Sequence, residues 1–455
     1  MLFPAGGGSS GGGTAPDDVV TISDITGVTP PGYGKTPVTE ITETDQFTGT
    51  VSWNPEPSDE TFAATTVYTA TITLTAKPGY TLEGVEKDFF TVEGADPVSN
   101  DTDSGVITAK FPETEKVTFD NAAIVGDSVP ITVGSVTATL IYANNQESIT
   151  FPFSLTQGNP VDTEKETITH KFFMSETQVT WALWKKVYDW ATDDARGDEK
   201  YTFQNTGRMG SVENGDGMTD QHPVTCISWR DAIIWCNALS EMTEAEPVYV
   251  ANGDHGTTKG DVLRSSKDNA YGNNKDKNVE DVVQTEDDNL TRKGYRLPTS
   301  KEWEYAARYV GTDPGDKTYY VSKGTNNGSV DLTTGYYWTP AAYASGGTGP
   351  YIEGNAAHNY THFAPFAWYG ESTTEPNGNT ETTQPVGEKT ANQLSLHDMS
   401  GNVWEWCFTA NGSDRVKRGG GWNASPPARL RVGFWGDDGP SYLRDSIGFR
   451  FARTQ

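Results

Sequence analysis

The side chains that could do chemistry are few and widely spaced. Cys226, Cys236 and Cys407 are the only cysteines in 455 residues, too few for a disulfide framework. None stands in a C-x-x-C or similar metal-ligand spacing, and each sits among apolar neighbours, so free buried thiols are expected. Among His170, His222, His255, His358, His362 and His397, the pair His358 and His362 is four apart. On a helix that spacing would put both on one face. The surrounding Ala356-Ala357-His358-Asn359-Tyr360-Thr361-His362-Phe363 reads as a loop, and two surface histidines are expected there rather than a metal pair. The closing segment offers a different chemistry. Arg418-Gly419-Gly420 and Gly448-Phe449-Arg450 form a frame that looks fixed by structure. The stretch between them has neither helical nor strand periodicity. It mixes aromatic, small and oppositely charged residues, as binding surfaces do. The frame then reads as the fold and the middle as the function.

Composition narrows the partners. Against 34 basic residues stand 62 acidic ones, a net charge of −28. That balance argues against a nucleic-acid backbone and against direct adhesion to anionic lipid headgroups. Its plain meaning is solubility. No hydrophobic run approaches the roughly 18 residues of a membrane span. Met1-Leu2-Phe3-Pro4-Ala5 has no signal-peptide character and leads into a Gly/Ser tether. A processed bacterial lipoprotein begins with a lipidated cysteine before such a tether, and Met1 stands where that cysteine would. Lipid-anchored display on the outer face of a bacterial outer membrane is therefore expected, beside the plainer reading of a linker.

The elements that must position these residues divide the chain. Residues 1–16 read as the flexible tether. Residues 17–113 read as a small all-β domain with strands at 49–53, 67–75, 89–92 and 105–111, whose spacing suggests a sandwich. It resembles the immunoglobulin-like modules of bacterial surface proteins and reads as a spacer. Residues 114–148 read as a connecting β region, and 149–455 as the larger domain. In that domain an apolar i, i+3, i+4 stripe predicts a helix over 181–191, capped by Thr180. A second helix follows Ser228, with Ser228 and Asp231 as a capping box. A third follows Pro298-Thr299, with Trp303, Ala306 and Ala307 inward. Residues 250–292 and 311–390 are long polar segments, unusual in a compact domain unless functional.

Five segments taken together identify a family. They are Met174 to Thr180, His222 to Trp229, Gly294 to Glu304, Asp398-Met399-Ser400-Gly401-Asn402-Val403-Trp404-Glu405-Trp406, and the closing frame. Their order resembles the formylglycine-generating-enzyme (sulfatase-modifying factor) family, a variant of the C-type lectin fold. The expected fold class is thus α+β, a C-terminal C-type lectin-like domain preceded by a small immunoglobulin-like one. Gly294 and Gly401 should allow unusual backbone angles. Trp404 and Trp406, two apart on a strand, should anchor the core from one side. Arg296 and Arg450 should make buried fork-shaped hydrogen bonds.

The resemblance also speaks to chemistry. Family enzymes that oxidise sulfatase cysteines use two cysteines after Arg-Gly-Gly, but Gly421 to Arg429 contains none. Others need three histidines around iron, for which no set stands out here. An enzyme is not expected and no cofactor is required. The segment from Asp398 implies a possible Ca²⁺ site, with Asp398 and Glu405 as carboxylates and Gly401 and Val403 as carbonyl donors. The non-catalytic frame resembles the variable proteins of diversity-generating retroelements, with 415–453 as the variable region. That resemblance implies ligand-facing roles for Asn423, Ala424, Ser425, Pro427, Arg429, Phe434, Trp435, Gly436, Asp437, Asp438, Tyr442, Leu443, Asp445 and Ser446. The aromatic residues would anchor and the charged ones would select. The expected function is a monomeric surface receptor or adhesin for a protein or glycan ligand on another cell. The alternatives are a family metalloenzyme with altered oxygen chemistry and a purely structural surface protein.

Overall fold

The computed structural model describes residues 16–155, 157, 162–213, 215–251, 262–271, 277–312, 336–370, 381–424 and 427–455. The expected tether, apart from Pro16, lies outside them, as do His255 and Ser425. The chain divides into two compact units, Met1–Asn121 and Ala122–Gln455.

The first unit is built on a four-stranded antiparallel sheet in the order Phe47–Asn54, Val67–Ala76, Val106–Glu113, Val98–Asn100. Alternation makes it so. Tyr68, Ala70, Ile72 and Leu74 are buried while the threonines between them face outward, the period of two of a half-buried strand. Ile107, Ala109 and Phe111 repeat the pattern beside them. The opposing layer is not the second sheet of the expected sandwich. Among the described residues it holds two short parallel pairs, Asp18–Val19 with Tyr80–Thr81 and Asp24–Ile25 with Thr91–Val92. Pro30, Pro31 and Pro37 interrupt the chain where a longer ladder would need N–H donors.

The second unit begins earlier than the sequence suggested. Residues 114–148 are not a connector: Ser128–Val133 and Val136–Asn144 form a hairpin that supplies two strands of its main sheet. Val129, Ile131 and Val133 alternate inward. The full antiparallel order is Tyr295–Arg296, Ala452–Thr454, Phe172–Ser175, Val136–Asn144, Ser128–Val133. The C-terminus is therefore an interior strand, bonded to Phe172–Met174 on one side and Tyr295–Arg296 on the other.

Two helices cover this sheet as predicted. Trp181–Ala191 buries Leu183, Trp184, Val187 and Ala191, and the Thr180 side chain accepts from the Leu183 amide. Trp229–Met242 opens with the Ser228/Asp231 capping box. Trp184 and Trp235 stack between them, with centroids 5.8 Å apart and planes within 5°. The third helix, Ser300–Arg308, turns Trp303, Ala306 and Ala307 inward. The segment holding His358 and His362 is a helix, Ala356–Phe363, not a loop; Asn355 caps it by accepting from the His358 amide. Gly401 has the expected left-handed φ of +87°, and a side chain there would meet the Trp368 carbonyl at 2.3 Å. Gly294 serves a different purpose: its φ is ordinary, but a Cβ would lie 2.0 Å from the Glu246 carbonyl oxygen.

Glu302 shows how tightly sequence and packing interlock. It closes the capping box of the third helix with Thr299. It also takes both arms of the Arg296 fork at 2.8 and 2.6 Å and lies 2.7 Å from His170 Nε2. Burial would raise its carboxyl, but Arg296 and His170 hold it far below the usual range. Because its folded pKa is depressed, the stability it contributes is complete above its unfolded value of 4.5 and is lost as pH falls below that. Glu302→Gln leaves Arg296 without a counter-charge and should cost about 3–5 kcal/mol at pH 7. In urea unfolding series the gap to the parent should narrow steadily as pH falls below 4.5.

Candidate functional site

The closing frame is welded into the core at both ends. Arg418 is fully buried and donates to Ser300 Oγ from Nε and Nη2, at 2.9 and 2.8 Å, with Glu304 2.9 Å from its Nη1. Phe449 meets Trp184 and Trp235 edge-on, at 6.0 and 5.3 Å. Arg450 donates to Glu405 from Nε at 2.7 Å and Nη2 at 2.9 Å, and from Nη1 to the Ser175 carbonyl at 3.0 Å.

Between these anchors the chain is ordered by backbone pairing. Trp435–Asp438 is a strand, not the irregular stretch its composition suggests. It runs antiparallel to Asp414–Arg418, with Lys417 opposite Gly436. Asp414–Arg418 pairs in turn with Trp404–Asn411, which pairs in parallel with Ile447–Gly448. On this sheet lies a cavity of about 340 Å³ lined by Gln157, Trp404, Lys417, Asn423, Arg429, Phe434, Trp435, Gly436, Asp437, Asp438, Tyr442, Arg444, Ser446 and Ile447.

The structure thus gathers Asn423, Arg429, Phe434, Trp435, Gly436, Asp437, Asp438, Tyr442 and Ser446 around one opening. It does not gather the other flagged residues that are described. Ala424 is buried against Ala344, Phe363 and Leu430, and Pro427 is buried in a single helical turn; neither has surface to offer a ligand. Leu443 and Asp445 lie outside the lining. The Asp445 carbonyl instead accepts from the Trp422 indole at 3.1 Å. Trp435 is half-buried and packs partly against the core.

Trp404, Lys417, Arg444, Gln157 and Ile447 line the cavity without having been singled out for it. Trp404 faces Phe434 at 6.1 Å between ring centroids. The Lys417 ammonium lies 5.4 Å from the Trp404 ring and 5.8 Å from Tyr442, and pairs with Asp438. One signal for Lys417 was available: it precedes buried Arg418 on a strand, so it must face the other way. Asp437 is held by Asn411 Nδ2 at 2.6 Å and Gln157 Nε2 at 3.1 Å. Arg444 meets the Tyr442 ring at 5.7 Å. Among the described residues neither Arg444 nor Arg429 has a carboxylate partner.

Redox chemistry finds little here. The three cysteines are free; Cys236 and Cys407 are buried and Cys226 half-buried. Burial pushes all three thiols up, away from the thiolate. His358 and His362 lie 4.3 Å apart, ring to ring, but their nitrogens already meet the Pro350 carbonyl and Thr348 Oγ1. Among the described residues no group of three or more His, Cys, Asp or Glu side chains is placed to hold a metal.

In the loop from Asp398 to Glu405, the Gly401 and Val403 carbonyls and the Glu405 carboxylate named for calcium meet around a side-chain amide. Oδ2 of the Asp398 carboxylate accepts from the Gly387 amide at 2.8 Å. Burial raises it to about 6, against the opposing pull of that bond and of Arg450. The main-chain oxygens of Asp398, Gly401 and Val403 and Glu405 Oε1 all converge on Gln178 Nε2, at 3.2, 3.2, 3.0 and 2.9 Å.

The chain is 28% identical to the chaperone protein LppX of Paenibacillus barcinonensis over 293 residues, 60% of this chain and 78% of that protein. It is 33% identical to the formylglycine-generating enzyme of Mycobacterium tuberculosis over 116 residues, 26% of this chain and 27% of that enzyme. Among solved structures, Treponema denticola variable protein 1 matches with 23% identity and a TM-score of 0.42, covering 72% of this chain and 99% of that one. The crystal structure of CarF matches at 25% and 0.44, covering 68% and 98%. The model of the sulfatase-modifying factor enzyme 1-like domain matches residues 115–455, and the chain belongs to that family.

Proposed function

We propose that this chain is a non-catalytic, surface-displayed ligand-binding protein, and that the cavity on its C-terminal sheet is the binding face. One observation carries the reading: nine residues flagged along an irregular stretch converge on a single opening, while the frame on either side is buried. Phe434, Trp435 and Tyr442 are rigid aromatic contacts of the kind that dominate interfaces. Arg429 and Arg444, with no acidic partner among the described residues, favour a protein or glycan ligand that carries acidic groups. A cysteine-free segment after Arg418-Gly419-Gly420 and thiols elsewhere that burial pushes up speak for binding rather than oxidation. Lipid anchoring through the N-terminal tether, a monomeric state and diversification by a retroelement complete the proposal. No described helix is long and apolar enough to cross a membrane.

Four tests address separate parts of the proposal. Sequencing around the gene should reveal a near-identical template repeat, differing at adenines, beside a reverse transcriptase; absence of both removes the retroelement component. Sibling copies should differ at cavity positions such as Asn423, Phe434 and Tyr442, with Arg418 and Arg450 constant. Adjacent substitutions should separate face from frame. Asn423→Arg, at an exposed position, should change stability by no more than about 0.5 kcal/mol. Ala424→Arg, at a buried one, should cost more than about 2 kcal/mol in denaturant unfolding. For binding, immobilised glycan and protein panels should identify a ligand whose affinity falls about tenfold or more in Tyr442→Ala. Equal binding by that variant at unchanged stability would remove the cavity as the face.

A further inference from the structure

We infer that Gln178 stands in for a divalent cation in the Asp398–Glu405 loop, so that this loop closes without metal. Calcium is what family resemblance implies there, and the residues present do not fit it. The Gly401 and Val403 carbonyls and Glu405 Oε1, expected around an ion, surround Gln178 Nε2 instead, joined by the Asp398 carbonyl, all at 2.9–3.2 Å. Calcium takes oxygens at about 2.3–2.6 Å, so an ion would have to displace the amide and draw the loop inward.

Charge points the same way. The Glu405 carboxylate meets this centre through Oε1, and Arg450 already neutralises it through both oxygens. The Trp303 indole adds a further bond to Glu405 Oε2 at 2.6 Å. Oδ2 of the Asp398 carboxylate accepts from the Gly387 amide. A divalent ion would therefore bring charge into a buried site where the Glu405 carboxylate is already paired, at a high desolvation cost. The amide brings two N–H donors and no charge. Those donors are shared among four acceptors, which is how one neutral nitrogen can occupy a centre shaped for a cation.

Position gives the substitution its significance. Gln178 is buried, two residues before the cap of the Trp181–Ala191 helix. It ties that helix entry to the loop that leads into Trp404, which lines the cavity. The geometry of the candidate binding face then does not vary with calcium concentration. This inference concerns the loop alone and stands whether or not the cavity binds a ligand.

The test is thermal unfolding of the full chain in EDTA and in excess CaCl₂, with calorimetric titration of Ca²⁺. The parent should shift by less than about 1 °C between the two and show no binding heat. Gln178→Glu puts a carboxylate among four acceptors and should make the protein calcium-dependent, gaining roughly 5 °C or more with the ion. A parent stabilised by several degrees in calcium, or a Gln178→Glu protein indifferent to it, overturns the inference. If that variant does not accumulate folded, Gln178→Ala serves instead: it should melt lower in EDTA, and an unchanged melting temperature overturns the role of the amide.

Discussion

The carboxylate of Glu405 is the constraint on which the second unit depends. It lies fully buried on the Trp404–Asn411 strand and takes donors from Arg450, Trp303 and Gln178. Each donor comes from a different part of the chain: the closing frame, the third helix and the entry to the first. Arg450 continues outward to the Ser175 and His397 carbonyls, at 3.0 and 2.7 Å. One ion pair thus connects the Phe172–Ser175 strand of the five-stranded sheet, the Trp404–Asn411 strand and the loop that leads into it. A buried pair of this kind adds little stability compared with a well-packed apolar core, but removing one partner leaves an uncompensated charge and costs about 3–5 kcal/mol. Its value is specificity: few other arrangements of the chain would satisfy all of these donors at once.

The same logic separates frame from face. Arg418 and Arg450 spend their hydrogen bonds inward, on Ser300, Glu304 and Glu405. Lys417, one residue before Arg418, faces outward into the cavity. The alternation of a strand does this without further design. Trp404 and Trp406 divide the work in a related way. Trp406 is fully buried and donates to the Ile227 carbonyl, while Trp404 keeps a slight exposure at the cavity. A pair expected to do one job therefore does two.

How much was legible in the sequence follows the range of the interactions. The helices at 181–191 and 229–242 announced themselves through local periodicity and capping residues, both of which act within a turn or two. The Arg296 and Arg450 forks were legible because buried guanidinium groups need planar acceptors. The hairpin at 128–144 was missed as part of the main sheet because its partners, Phe172–Ser175 and through it Ala452–Thr454, lie far along the chain. The helix at 356–363 hid behind asparagine, threonine and histidine, whose helix propensity is mediocre; a single Asn355 cap helps fix it. Within the closing segment, the resemblance pointed to the aromatic and charged residues that line the cavity, but not to the burial of Ala424 and Pro427. Gln178 was beyond reach, because its meaning lies in four oxygens more than 200 residues away.

The Trp435–Asp438 strand is held by main-chain bonds to Asp414–Arg418 and, among the described residues, has no strand partner on its other side. Such a ladder does not read the identity of the side chains it carries, proline excepted. Half-exposed side chains on it can change with little effect on the ladder itself, so substitutions there draw little on the margin of about 5–15 kcal/mol that keeps a domain folded. An open edge carries its own hazard, since it invites pairing with another chain. Asp437 and Asp438 put two charges on that edge. The price of evolvability at this margin is therefore colloidal rather than conformational: replacing both acids with apolar residues would threaten solubility well before it threatened the fold.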